Sequence, residues 1–355
     1  MKIERIYKFL IVILSVCIGL VCREQPGKNS FGNNLKIKGA SIAHVHIRGK
    51  GYGSGASAPL YTHLKSIGFN SVQLVPFAYQ RDLSEPHLFY DDPTMTWQDI
   101  ENEIILAHTM GLTVMLKPHI WPGTDWQPKV FRDKIDFTDP DKLNRWFLEY
   151  QKFLTPLVEI AIHQRVEYFV IGTELTALSR HTDHWRRLIA AIRNRGYSGA
   201  LTYAAIAYNA SYIQFWDQLD YIGLDFYYGT QDKNSDSVAL QKKLRHYWQY
   251  HLEHAKRVKK EIILTEVGYP AHSLALAYPH TWPEKMSDRD DKKQADGFRA
   301  LAETLNGSEN PAGLYIWKYA TTIDSYEKKD NENGFNPYRK PAEQNIGEIF
   351  RQMPN

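Results

Sequence analysis

The sequence predicts an α/β fold, a (β/α)8 TIM barrel, with a doubly wound open sheet as the alternative. Eight short runs rich in β-branched and aromatic residues alternate along the chain with amphipathic segments of helical period. Several of these runs are almost continuously apolar, as parallel strands buried on both faces must be. About 320 residues lie from the first run to the end, room for eight strand–helix units and their insertions.

The predicted strands are IKGASIAHVHI (37–47), SVQLVPF (71–77), LTVMLKPHI (112–120), EYFVIGTEL (167–175), ALTYAA (200–205), YIGLDFYY (221–228), EIILTEVGY (261–269) and GLYIWKYA (313–320). Helical pattern fills 97–110, which follows Thr96 as an expected N-cap and stops at Gly111. It also fills 141–165, 183–195, 237–258, 290–306 and 341–352. The link between the fifth and sixth runs is short, and its helix is expected around 211–218. There is no internal domain break, so one domain over 37–355 is expected.

Composition narrows the function classes. Hydrophobic residues make up 43% and charged residues 23% of 355, which excludes disorder for most of the chain. Of the formal charge of +3, Lys2, Arg5 and Lys8 against Glu4 supply +2, so the body is near neutral. That argues against a nucleic-acid partner, which calls for a strong basic excess. The 22 Tyr and 9 Trp fit either a carbohydrate-binding surface or a large aromatic core.

Those basic residues precede an apolar run from Phe9 to Val21, the anatomy of an export signal over 1–22. Cys22, at its end, is positioned like the lipidated cysteine of a bacterial lipoprotein, although Gly19-Leu20-Val21 lacks the usual small residue before it. Plain secretion and an uncleaved anchor are the alternatives. Residues 23–36 read as a tether. The expected location is therefore outside the cytoplasm, as a surface or periplasmic lipoprotein or a secreted protein, with membrane contact only through that anchor. Cys17 and Cys22 are the only cysteines, so no disulfide framework, cysteine–zinc site or cysteine nucleophile is expected downstream.

In a TIM barrel the chemistry sits at the C-terminal strand ends. Here those ends carry Lys117-Pro118-His119 with Trp121 behind, Thr173-Glu174, Asp225-Phe226-Tyr227, Thr265-Glu266 and Trp317-Lys318. A glutamate closing an apolar strand is costly to bury unless paired or used. Two facing carboxylates, Glu174 and Glu266, are the equipment of glycoside hydrolysis. Lys117 and His119 can tune them and hold sugar hydroxyls. Trp121, Tyr203, Tyr227 and Trp317 can offer faces to sugar rings. The competing reading is a buried ionic network of the two glutamates with Lys117 and Lys318.

The segments VQLVPFAYQ (72–80), AHTMGLTVMLKPHIW (107–121), FVIGTEL (169–175), LTYAA (201–205), FWDQLDYIGLDFYY (215–228) and ILTEVGYP (263–270) resemble glycoside hydrolase family 113. The resemblance spans about 38–320. It implies a retaining β-mannanase of clan A that needs no cofactor and acts on β-mannan or a related β-glycan oligosaccharide. It implies Glu174 as acid/base and Glu266 as nucleophile. It further implies a hydrogen bond from Tyr227 to the nucleophile and Trp317 as the floor of the sugar subsite at the cleavage point. Asp225, at the same strand end as Tyr227, is counted with the substrate-binding residues. Thr173 departs from the asparagine that most of the clan carries before the acid/base, a residue this family generally lacks. Other β-glycans, exo-acting release of mannose and a non-catalytic glycan-binding lipoprotein are the rival functions.

Three further patterns carry less. His44 and His46 share a strand face, as in metal-dependent barrels, but the ligands expected on strands 5 and 8 are missing; lining the sugar cleft or a structural role fits better. Gly51-x-Gly53-x-x-Ala56 imitates a dinucleotide fingerprint without its acidic partner and reads as a flexible rim loop. Tyr278 and Trp282 are expected to cover the cleft or pack at the surface, and Glu327–Gly334 is expected to be a polar surface loop.

Overall fold

The computed structural model describes residues 37–123, 131–281, 289–306, 309, 311–322 and 334–353. The signal segment, Cys22, the tether, Trp282 and residues 327–333 lie outside them. Eight strands close a parallel barrel, β1 (Ile37–Ala43), β2 (Ser71–Leu74), β4 (Thr113–Leu116), β6 (Tyr168–Thr173), β7 (Ala200–Ile206), β8 (Tyr221–Asp225), β9 (Glu261–Val267) and β10 (Gly313–Ala320). β10 pairs back onto β1, so the open-sheet alternative is excluded.

Two predicted strands each divide at a proline. Pro76 and Pro118 have no N–H to give to a ladder. The second and third barrel strands therefore stop at Leu74 and Leu116. The chain then resumes as β3 (Phe77–Gln80) and β5 (His119–Pro122), which pair in parallel as a two-stranded sheet beyond the barrel mouth.

Around the barrel lie α1 (Ala58–Ile67), α2 (Trp97–Thr109), α3 (Pro140–His163), the short α4 (Thr176–Ser179), α5 (Thr182–Asn194), α6 (Ser237–Val258), α7 (Asp291–Leu305) and α8 (Ala342–Gln352). α2 starts with a capping box, the Thr96 hydroxyl accepting from Asp99 N while the Asp99 carboxylate accepts from Thr96 N. α3 is capped by Asp139 and has proline at its first turn. It buries Leu143, Trp146, Phe147, Tyr150, Leu154, Leu157 and Val158 along one stripe. Each such side chain contributes roughly 1.5–3 kcal/mol. α1 was not expected from sequence. Its Pro59 start follows the glycine-rich loop, and only Leu60, Tyr61 and Leu64 are buried, a weak periodic signal. The helix expected around 211–218 is instead two 3-10 turns, 207–212 and 216–218, because the connection is too short for an α-helix.

The bottom of the lumen is plugged by Ile37, Met115, Val170, Ala204, Ile263 and Tyr315. Polar side chains also enter the lumen. Ser41 Oγ donates to Gln73 Oε1 at 2.8 Å, and Gln73 Nε2 donates to the Thr265 carbonyl at 3.1 Å. These bonds hold the strand ends on which the site is built.

Candidate active site

β4, β8 and β9 bring three charges together. Lys117, fully buried just past β4, donates from Nζ to Asp225 Oδ1 at 2.8 Å and to Glu266 Oε1 at 2.5 Å. Thr265 Oγ1 also donates to Asp225 Oδ1, at 2.7 Å. Tyr227 OH donates to the other Glu266 oxygen at 2.9 Å. Burial and the charge of Glu266 push Asp225 well above the usual carboxylate range, against the pull of Lys117. Burial and the same carboxylates push the Tyr227 hydroxyl up, so it remains a donor. Glu266 thus presents an oxygen pair oriented from both sides.

Glu174, directly after β6, stands in a different setting. Its φ of 54° is left-handed, a conformation worth about 1–3 kcal/mol of strain in a non-glycine residue. Its N–H donates to the Ala204 carbonyl at 2.8 Å. Its Oε2 accepts from Arg132 Nη2 at 2.8 Å, with both side chains nearly buried. Burial raises the Glu174 carboxyl; Arg132 opposes that and Glu266 adds to it, and the net direction is up. The two glutamates therefore stand in distinct environments, one between a lysine and a tyrosine, one beside an arginine. The ionic-network reading is realised for Glu266 with Lys117; the partner of Glu174 is Arg132, not Lys318.

The structure distributes the remaining sequence-predicted residues unevenly. His119 on β5 has Nε2 3.6 Å from Glu266 Oε1, without a hydrogen-bond partner among the described residues. Burial, then Arg132 and Lys117, hold it well below the usual histidine range, so it is neutral. The half-buried Trp317 ring stacks on it at 6.0 Å. Trp121 is half-buried two residues beyond His119. Tyr203 departs from expectation. Its ring is enclosed by Trp185 and Phe215 and only 1% exposed, so it has no face for a sugar. A Cβ at Gly172 would meet that Trp185 ring at 2.6 Å, which explains the glycine before Thr173-Glu174. Thr173 Oγ1 donates to the Pro118 carbonyl at 3.0 Å, a structural role in place of the clan's asparagine.

His44 and His46 both lie within hydrogen bonds. Tyr52 N–H donates to His44 Nδ1 at 3.0 Å, so Nε2 carries the proton toward Thr94 Oγ1 at 3.1 Å. His46 Nδ1 meets Asp92 Oδ2 at 2.6 Å. Among the described residues no group of three or more His, Cys, Asp or Glu side chains is arranged to hold a metal.

Sequence reasoning missed Arg132 and Asp92. Arg132 is in a three-residue 3-10 turn far from any strand end, with no local pattern to mark it. Asp92 belongs to the loop before α2, and only its partner His46 was visible as part of a motif.

A closed parallel barrel with two strand-end glutamates in contrasting surroundings, flanked by aromatic rings at its mouth, defines a glycoside hydrolase. Comparison with known proteins agrees. A family model described as Glycoside Hydrolase Family 113 matches residues 42–340, and the chain belongs to that family. A solved structure described as a complex of a GH113 β-1,4-mannanase is 25% identical, with a TM-score of 0.75, covering 89% of this chain and 99% of that one. The GH113 β-mannanase AaManA from Alicyclobacillus acidocaldarius, in complex with ManMIm, is 24% identical, with a TM-score of 0.77 over 90% of this chain and 98% of that one. A β-D-glucuronidase from Dictyoglomus thermophilum shares the fold at 16% identity and a TM-score of 0.61, over 90% of this chain and 51% of that one. A search of curated protein sequences gave no significant match.

Proposed function

We propose that the protein is an endo-acting β-1,4-mannanase that retains anomeric configuration. Glu266 attacks the anomeric carbon while Glu174 gives its proton to the departing glycosidic oxygen, and the bond from carbon to that oxygen breaks. A water then attacks the glycosyl–Glu266 ester, losing its proton to Glu174, and Glu266 leaves as a carboxylate. The observation that carries the reading is the contrast between the two glutamates. Glu266 accepts from Lys117 and Tyr227, which suits a nucleophile. Glu174 is buried and raised, which suits a proton donor. Tyr227 would follow the nucleophile through both steps, and Trp317 and His119 would line the sugar at the cleavage point.

Mannan as substrate is supported by family membership and by the 25% identity to a structure described as a β-1,4-mannanase. Export, with Cys22 as a lipid anchor, is proposed on the signal anatomy of residues 1–22 alone.

The test incubates the protein from Arg23 onward with β-1,4-mannan and defined manno-oligosaccharides, with Glu266→Ala as control. Short oligomers from the intact enzyme alone, with the new reducing end first appearing as the β-anomer, are expected. First appearance of the α-anomer would refute double displacement. Release of mannose alone would replace endo with exo action, and no cleavage by a folded protein would remove mannan as the substrate.

A further inference from the structure

Arg132 does not hold itself in place. Among the described residues its guanidinium bonds only Glu174, through Nη2, and its buried Nε has no partner. Its flat face lies over the Phe131 ring, 4.7 Å from the centroid, but that ring is on the same segment and 44% exposed. What places the guanidinium is the path of residues 131–137, between β5 and α3.

That path is pinned in two ways. Ile135 and Phe137 are buried in the core. Asp136, between them, accepts hydrogen bonds from Arg180 Nη2 and from His181 Nε2, the latter at 2.9 Å. The Asp136 and His181 side chains are 16% and 21% exposed, so solvent screens this pair only in part.

The place of those partners in the chain gives the contact its meaning. Glu174 and Leu175 run straight into α4, and Arg180 and His181 follow at once. One stretch of chain thus carries the Glu174 carboxyl at one end and both partners of Asp136 at the other. Residues 132–136 lie along it as a second arm, joined through Arg132 at Glu174 and through Asp136 at Arg180 and His181. Two joints fix how the arms sit, where one joint leaves them free to pivot.

The charged groups facing Glu174 are Arg132, Lys117, Glu266 and Asp225. The hydroxyls of Tyr203, Tyr208 and Tyr227 face it too. Arg180 and His181 face Asp136, with Asp183 and His184 beyond His181, and Lys134 pairs with Asp133 on the segment itself. Among the described residues only Arg132 hydrogen-bonds the Glu174 side chain, and only Arg132 shares a segment with Asp136.

We propose that Asp136 is a positioning residue for the proton donor: by holding Arg180 and His181 it keeps Arg132 against Glu174. The proposal rests on Glu174 as the acid, and its test separates the two. The alkaline limb of kcat/KM on mannotetraose is measured from pH 4 to pH 10 for the wild type, Asp136→Asn, Arg132→Met and the double variant. Circular dichroism and melting confirm folding. Loss of the Asp136 charge by itself favours the ionised form of Glu174 and moves the limb down. Loosening Arg132 does the opposite. The limb of Asp136→Asn is therefore expected to move up, by about 0.5–1 pH unit, less than in Arg132→Met because the guanidinium stays nearby. In the Arg132→Met background Asp136→Asn is expected to bring no further upward shift, since no cation is left to place. Arg180→Ala, at a side chain 61% exposed, gives the same comparison should Asp136→Asn not fold. A limb that stays or moves down in Asp136→Asn, or equal upward shifts with and without Arg132, overturns the positioning role and leaves Glu174 as the acid. An unmoved limb in Arg132→Met overturns Glu174 as the group behind the limb, and the proposal with it.

Discussion

Replacing Arg132 with methionine should move the alkaline limb of the pH–activity profile upward. Glu174 must be protonated to help the leaving group depart, so activity falls as pH rises through its pKa in the free enzyme. Arg132 Nη2 is 2.8 Å from Glu174 Oε2, and the two side chains are only 7% and 9% exposed, so solvent screens the pair weakly. An arginine this close holds a carboxyl down by about 1–3 pH units. Burial and Glu266 work the other way, and Lys117 acts in the same sense as Arg132. Without the guanidinium only Lys117 resists the rise, and the alkaline limb of kcat/KM should shift up by about 1–2 units. Arg132→Lys, which keeps the charge, should lie between. The assay is kcat/KM on mannotetraose from pH 4 to pH 10. A limb that stays in place, or moves down, would refute the assignment of that limb to Glu174 under control of Arg132. A fall in kcat/KM by the same factor at every pH would show that Arg132 serves only to position groups.

Three further outcomes follow from the same geometry. Glu174→Ala should lose about 100-fold or more on mannotetraose, and far less on 2,4-dinitrophenyl β-mannoside, whose leaving group needs no proton; equal losses in stopped assays would remove Glu174 as the acid. Lys117→Met leaves Asp225 and Glu266 without their shared cation, and denaturant titration at pH 7 should show about 3–5 kcal/mol lost; a loss below about 1 kcal/mol would mean the pair is not held as described. His44 is held down to about 3 by burial, with the neighbouring His46 charge acting in the same direction. The unfolded chain gains a proton below pH 6.5 that the folded chain refuses, so this stability is complete above pH 6.5 and is lost on acidification, by about 2 kcal/mol at pH 5. His44→Gln should flatten the slope of unfolding free energy against pH between 5 and 6.5, and an unchanged slope would contradict it.

Much of the site could be read in the sequence because a barrel strand fixes where its last residues go. Once EYFVIGTEL and EIILTEVGY are strands, Glu174 and Glu266 must reach the same end of the barrel, and Lys117 and Tyr227 reach it by the same rule. Tyr203 shows the limit of that rule. It sits on a strand facing the outer helices, and only the packing of Trp185 and Phe215 against it reveals that its ring is enclosed. α1 and the division of two strands at Pro76 and Pro118 show another limit, since short elements carry too few periods to stand out from their flanks.

The repeating strand–helix order and the two glutamates at strand ends follow from local periodicity and chain order alone, whereas closure over an open sheet was settled by the pairing of β10 with β1. The partners of those groups form only on folding. Arg132 is 42 residues from Glu174, Lys117 is 149 from Glu266, and Asp92 is 46 from His46. Those pairs form because barrel closure brings distant strand ends and loops together at one mouth, and no local pattern encodes a contact that depends on closure.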